Sequence, residues 1–316
     1  MTPEQVVEGV LAGRRRAIGR AITMAESRGP EGRAVMRALH PRGGRALRVG
    51  ITGSPGAGKS TLSAALVRHL RAEGRTVAIV SVDPTSPFTH GAVLGDRIRL
   101  VDHFLDEGVF IRSMASRGHL GGLAEATGDA LAILDAAGFD VVIVETVGAG
   151  QNEVEVQAMS DTVVLVLMPG SGDAIQAIKA GVMEIPDVIV INKCDRPGAD
   201  ILAGEVESAL TLVPPDGWVP PVVLTQALEG QGVEDAWAAV ERHQADLRES
   251  GRADERARDG MQRHLRSLAL ERLARDLDAR VDPEQLDALV DRVVRRQVDP
   301  AAAVDTILGA APPEEA

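Results

Sequence analysis

Between Gly50 and Thr61 the chain reads GITGSPGAGKST, and within it Gly53, Ser54, Pro55, Gly56, Ala57, Gly58, Lys59 and Ser60 fit the full G-x-x-x-x-G-K-[ST] pattern. Glycines let such a loop turn its N–H groups inward around phosphate oxygens. A helix opening at Lys59 adds the partial positive charge of its N-terminus. The pattern predicts that Lys59 reaches the β- and γ-phosphates, that Ser60 ligands Mg2+ and that Thr61 stands at the α-phosphate. A full match set between an apolar strand and a helix is a nucleoside triphosphate cradle rather than an incidental glycine-rich turn.

The base is read further on. VIVINKCD ends an apolar strand with Asn192-Lys193-Cys194-Asp195, the N-K-x-D pattern. Asp195 can accept two hydrogen bonds from the N1 and N2 hydrogens of guanine, which adenine does not offer in that arrangement. Lys193 is expected to lay its stem over the purine, and Asn192 to tie the loop back to the cradle. One strand later, Gln226, Ala227 and Leu228 stand where GTPases present backbone N–H groups to the guanine O6, with Gln226-Ala227 in place of the usual Ser-Ala. GTP and GDP are the expected nucleotides. Cys194, in the variable position, reads as a small filler.

For the metal, VSVDPTSPFTHGAVLGDRIR carries Asp83 at the end of the second strand and Asp96 in the following loop, with hydroxyls at Thr85, Ser86 and Thr89 between them. With Ser60 and Glu145, these make a set that could converge on one Mg2+. That ion keeps several waters and takes one or two direct carboxylates, so some of these acids must act through water or in one nucleotide state. Glu145 leads the stretch Glu145-Thr146-Val147-Gly148, where Gly148 would let its N–H approach the γ-phosphate. Gln151 is a candidate to orient the attacking water, three residues beyond the glycine it follows directly in small regulatory GTPases. Lys59, Glu145 and Gln151 are thus the expected catalytic set. No arginine stands in an obvious finger position, so hydrolysis should be slow until a partner or second subunit completes the site.

Seven apolar stretches, LRVGIT, TVAIVSV, VFIRS, DVVIVET, TVVLVLM, DVIVIN and PVVLT, alternate with helical segments and must position these residues. The alternation predicts an α/β fold with a mostly parallel sheet, and the uninterrupted Val/Ile/Leu runs predict strands covered on both faces. The expected organisation is an N-terminal helical extension over 1–45, a P-loop GTPase domain over 46–243 and a C-terminal helical extension over 244–316. In the last, Met261, Leu265, Leu268, Leu273 and Leu277 form an apolar stripe that either packs back on the sheet or meets another subunit.

Composition sets the outer bounds. A net charge of −12 argues against a general nucleic-acid binder, and the 2% aromatic content, without tyrosine, against base-stacking platforms. A lone cysteine excludes an internal disulfide framework and a thiolate metal cage. The N-terminus does not read as a signal peptide, and the apolar runs are too short to span a bilayer. A cytoplasmic protein without a membrane anchor is the expectation.

Through GITGSPGAGKSTL, VDPTSPFTHGAVLGDRIR, FIRSMASRGHLGGLA, AAGFDVVIVETVGAGQNEVEV, GDAIQAIKAG and VINKCD, the chain resembles the GTPases associated with methylmalonyl-CoA mutase, the MeaB/ArgK type. His90, Ala149 and Gln226 depart from residues usual in that family. The resemblance implies a P-loop G domain of the dimeric class, with the C-terminal stripe serving dimerisation. It also implies a G-protein chaperone that gates cofactor loading of an adenosylcobalamin-dependent acyl-CoA mutase and protects it. A further switch is implied between Ser171 and Lys179, with Asp173 and Lys179 as its charged residues. Three alternatives stay open: a nickel-insertion GTPase, which would need His and Cys ligands; a kinase of a transport system, which would need an acceptor site and a lid; and a nucleotide-gated structural protein without catalytic turnover.

Overall fold

The computed structural model describes residues 1–84, 105–116, 122–146, 152–170, 186–211 and 217–309. They form two compact units, 1–264 and 265–316. The first is built on seven strands: β1 (Leu47–Gly53), β2 (Val77–Pro84), β3 (Val109–Ser116), β4 (Val141–Thr146), β5 (Thr162–Leu167), β6 (Val188–Asn192) and β7 (Val222–Thr225). Each of the seven apolar stretches has become one strand. All neighbours run parallel, in the order β3-β2-β4-β1-β5-β6-β7, so every carboxyl end emerges at one edge. Ligands of open α/β sheets bind outside that edge.

Alternate residues of a strand point to opposite faces, and here both faces are dry. Ala78, Val80, Val142 and Val144 enter one core, while Val77, Ile79, Val141 and Ile143 enter the other. The second core is closed by α4 (Lys59–Ala72) and by a helix at Val233–Glu249. The first is closed by α5 (Gly122–Ala136) together with three N-terminal helices, α1 (Pro3–Leu11), α2 (Arg15–Glu26) and α3 (Pro30–Leu39). Val6, Val10, Ile18, Ile22, Val35 and Leu39 thus share a core with the sheet. Helix α1 starts after Thr2, its N-cap. Thr2 and Gln5 make a reciprocal capping box, with Pro3 at the first turn. Gly32 has a steric reason: a Cβ there would sit 2.2 Å from the Met24 carbonyl, so α2 and α3 approach closely only with glycine.

The remaining helices are α6 (Asn152–Met159), α7 (Ala199–Leu210), α8 (the Val233–Glu249 helix above), α9 (Ala253–Asp278), α10 (Pro283–Val294) and α11 (Pro300–Leu308). Asp282 and Asp299 cap α10 and α11 by accepting from Glu284 N at 3.0 Å and Ala301 N at 2.9 Å. In the second unit Leu273, Leu286, Val290, Val294, Val304 and Leu308 are exposed. Among the described residues no helix is long and apolar enough to cross a membrane.

Candidate functional site

The loop from β1 to α4 is a glycine-built cradle. Gly53, Gly56 and Gly58 have φ of 135°, 77° and 96°, conformations costly for a residue with a Cβ. A side chain would also collide at two of them: a Cβ on Gly53 would meet Val166 O at 2.1 Å, and one on Gly58 would meet Asn192 Nδ2 at 2.3 Å. Pro55 is exposed, while Ser54 and Ala57 are buried and closed on each other by Ala57 N donating to Ser54 O at 3.2 Å. Lys59 opens α4 almost fully buried, with Nζ donating to Gly53 O at 2.7 Å and Ser54 O at 3.0 Å. Thr61 follows, half-buried.

Glu145, near the end of β4 next to β1, is buried against this helix start. The Ser60 hydroxyl donates to its Oε1, and the Ser63 hydroxyl lies 3.0 Å from its Oε2. A hydroxyl whose proton goes to a carboxylate keeps its lone pairs for a hard cation, so Ser60 and Glu145 have the donor chemistry that Mg2+ takes. The backbone of Asp83 closes β2 at the same edge; its side chain, and Asp96, Gly148, Gln151, Asp173 and Lys179 entirely, lie outside the described residues. Among the described residues no cluster of three or more His, Cys, Asp or Glu could hold a metal.

On the base side, Asn192 is the junction. Its Nδ2 donates to Ala57 O at 2.9 Å, while its Oδ1 accepts from Thr225 Oγ1 and Ala227 N, each at 3.1 Å. One buried amide therefore joins the cradle, β6 and the end of β7. Lys193 adopts a left-handed φ of 60° and sends Nζ to Gly56 O at 2.7 Å and toward Met168 Sδ at 3.6 Å. Asp195 is exposed beside it. Gln226 N donates to Gln231 O at 3.0 Å and Ala227 N to Asn192, so a guanine O6 would have to compete for both; Leu228 is exposed. Sequence reasoning missed Ser63 and Thr225. Ser63 carried a signal, since a polar residue three after Ser60 falls on the same helical face; Thr225 carried none.

The opposite edge of the sheet holds fixed charges. Burial works to raise the Asp135 pKa, but N–H groups of Ala46, Arg45 and Gly44 and the Arg48 guanidinium hold it below the usual carboxylate value. Asp187 is raised by burial against the attraction of Arg256, with which it pairs. Burial and then the positive charges of Arg256 and Arg252 push His243 down to about 3. The ring is therefore neutral, and its close approach to Asp187 at 3.3 Å is no ion pair at neutral pH. With Nδ1 2.9 Å from Thr162 Oγ1, the tautomer that fits carries the proton on Nε2 and faces it toward Asp187.

Comparison with known proteins agrees with this geometry. The chain is 46% identical over 309 residues to a protein of Pyrococcus abyssi whose name describes a GTPase, covering 96% of this chain and 95% of that one. It is 43% identical over 249 residues to GTPase ArgK of Escherichia coli, covering 76% and 75% of the two chains. A solved structure described as a LAO/AO transport system kinase superposes with a TM-score of 0.75 at 31% identity, covering 97% of this chain and 96% of that one. Residues 18–282 match the family model described as methylmalonyl-CoA mutase-associated GTPase MeaB. With a P-loop cradle, a parallel sheet and a match over most of its length, this chain belongs to the MeaB family of GTPases, whose description ties it to methylmalonyl-CoA mutase.

Proposed function

We propose that this GTPase is a Mg2+-dependent, homodimeric chaperone for an adenosylcobalamin-dependent acyl-CoA mutase, gating cofactor loading and protecting the loaded enzyme. The observation that carries the switch part is the Glu145 clasp. A carboxylate at the end of β4 is tied to the helix that begins with Lys59 and Ser60, so a change at the phosphates is felt on both sides of the cradle. The mutase part rests on the family description. In this reading Lys59 gives up carbonyl partners for phosphate oxygens, and Lys193 and Asp195 hold the base. Gln151 orients water, and Asp83, Asp96, Gly148, Asp173 and Lys179 act in the segments between. Bound Mg2+ would supply positive charge to the phosphate oxygens from beside Ser60 and Glu145.

The test is co-purification of the protein with the host's adenosylcobalamin mutases in GDP and in a non-hydrolysable GTP analogue, together with phosphate release with and without mutase. A nucleotide-dependent complex and mutase-stimulated hydrolysis are expected. Absence of a complex in both nucleotide states would overturn the partner assignment. The kinase name of the similar solved structure gives a second reading, and it requires GTP-derived phosphate to appear on an acceptor instead of in solution.

A further inference from the structure

Ser63 is fully buried on α4, one turn beyond Ser60, and the two serines face one carboxylate. Its hydroxyl has one proton and two acceptors at the same 3.0 Å distance, the Lys59 carbonyl and Glu145 Oε2. A bond to an ionised acceptor is roughly twice as strong as one to a neutral carbonyl, which directs that proton to the carboxylate. Glu145 is then held through both oxygens from one helix. A glutamate needs such a hold more than an aspartate would, because its longer side chain has an additional rotatable bond and more conformational freedom to lose.

We propose that Ser63 is a positioning residue of the GTPase site: it fixes the Glu145 carboxylate so that Oε1 stays on the Ser60 hydroxyl and the serine presents its lone pairs to Mg2+. This rests on the reading of Glu145 as the metal-facing carboxylate. It assigns to α4 a second functional serine outside the phosphate-binding pattern. Ser63 touches neither nucleotide nor metal in this role; it acts through Glu145.

The experiment measures release of GDP carrying an N-methylanthraniloyl fluorophore as a function of Mg2+ concentration, which reads metal binding without turnover. Ser63→Ala, a favourable helix substitution, should raise the Mg2+ concentration that half-maximally slows release by about tenfold, the size of one lost hydrogen bond to a charged group. Glu145→Ala should raise it at least as far. Adding Ser63→Ala to Glu145→Ala should then change nothing more, because the serine acts only through that carboxylate. If Glu145→Ala leaves the midpoint where it was, the metal-facing reading itself fails. If Glu145→Ala shifts it but Ser63→Ala does not, or if the two shifts multiply independently in the double variant, Ser63 is a packing residue and this proposal alone is overturned.

Discussion

Asn192 offers a quantitative test of how the cradle and the base loop are joined. The side chain is 3% exposed and makes three hydrogen bonds, to Ala57 O, Thr225 Oγ1 and Ala227 N. Asn192→Ala removes all three and leaves buried partners behind. At a net value near 1 kcal/mol per bond, the cost is about 3 kcal/mol. Gly58→Ala attacks the same junction from the other side. It places a residue with a Cβ at φ 96°, and that atom would stand 2.3 Å from Asn192 Nδ2. The backbone term is about 1–2 kcal/mol, and the collision adds to it. No other atom lies within 3.4 Å of that Cβ, since Asn192 Cγ is at 3.6 Å and Lys193 Cε at 3.9 Å. In the double variant the collision therefore disappears and the backbone term stays, so the combined cost should fall short of the sum by about 0.5–3 kcal/mol. Both tryptophans, Trp218 and Trp237, lie in the 1–264 unit, so their fluorescence in urea reports the unit that holds the junction. GDP affinity should fall in parallel. Strict additivity, or an Asn192→Ala protein within about 0.5 kcal/mol of wild type, would show that the amide does not join these segments.

Three further outcomes follow from the same geometry. Lys59→Ala should reduce GTP hydrolysis by at least about a hundredfold, the scale of a lost charge-stabilising group, and phosphate release near the wild-type rate would refute the cradle assignment. Asp195→Asn exchanges one acceptor oxygen for a donor at an exposed position, so XTP should gain on GTP in competition binding while urea stability holds; unchanged GTP affinity would sink the guanine reading. His243 has a folded pKa of about 3, below the ordinary 6.5. The unfolded chain thus binds the extra proton, and stability attributable to this ring is present above pH 6.5 and lost toward pH 3 at about 1.4 kcal/mol per pH unit. The raised pKa values of Asp161 and Asp187 act in the opposite sense, adding stability as they take up protons. The informative quantity is therefore the difference between wild type and His243→Asn, and equal pH slopes below 6.5 would contradict a neutral buried ring.

Much of this site could be read from the sequence because its parts are local. The strands were legible because a strand covered on both faces has no polar phase: VVIV in β4 and VIVI in β6 alternate between two cores without a break. The cradle was legible because its glycines adopt positive φ within one loop, although the atoms that a Cβ would meet, Val166 O and Asn192 Nδ2, belong to distant strands. What stayed hidden depends on partners distant in the chain. Nothing near Ser63 announces Glu145, 82 residues away, and nothing near Thr225 announces Asn192, 33 residues back. Strand order was hidden for the same reason, since β1 pairs with β4 and β5 and not with its sequence neighbour β2. The N-terminal extension was legible as helical, but helicity does not name what covers its apolar face. Here it is α5 and one face of the sheet.

Among the described residues, the two edges of the sheet differ in the partners their charged groups use. At the carboxyl edge Lys59 and Lys193 donate to the backbone carbonyls of Gly53, Ser54 and Gly56, which are neutral acceptors. A phosphate oxygen adds a full opposite charge and turns such a bond into an ion pair, so a nucleotide offers these ammonium groups a stronger partner than a carbonyl. At the amino edge the carboxylates are already in charge-assisted bonds. Asp135 holds three backbone N–H groups and Arg48, and Asp187 holds Arg256 and the N–H of Val163 at 2.8 Å. Breaking one of these would strand a buried charge. If Lys59, Glu145 and Asn192 act as proposed, nucleotide binding would rearrange bonds at the carboxyl edge, while the paired carboxylates Asp135 and Asp187 would stay in place at the amino edge.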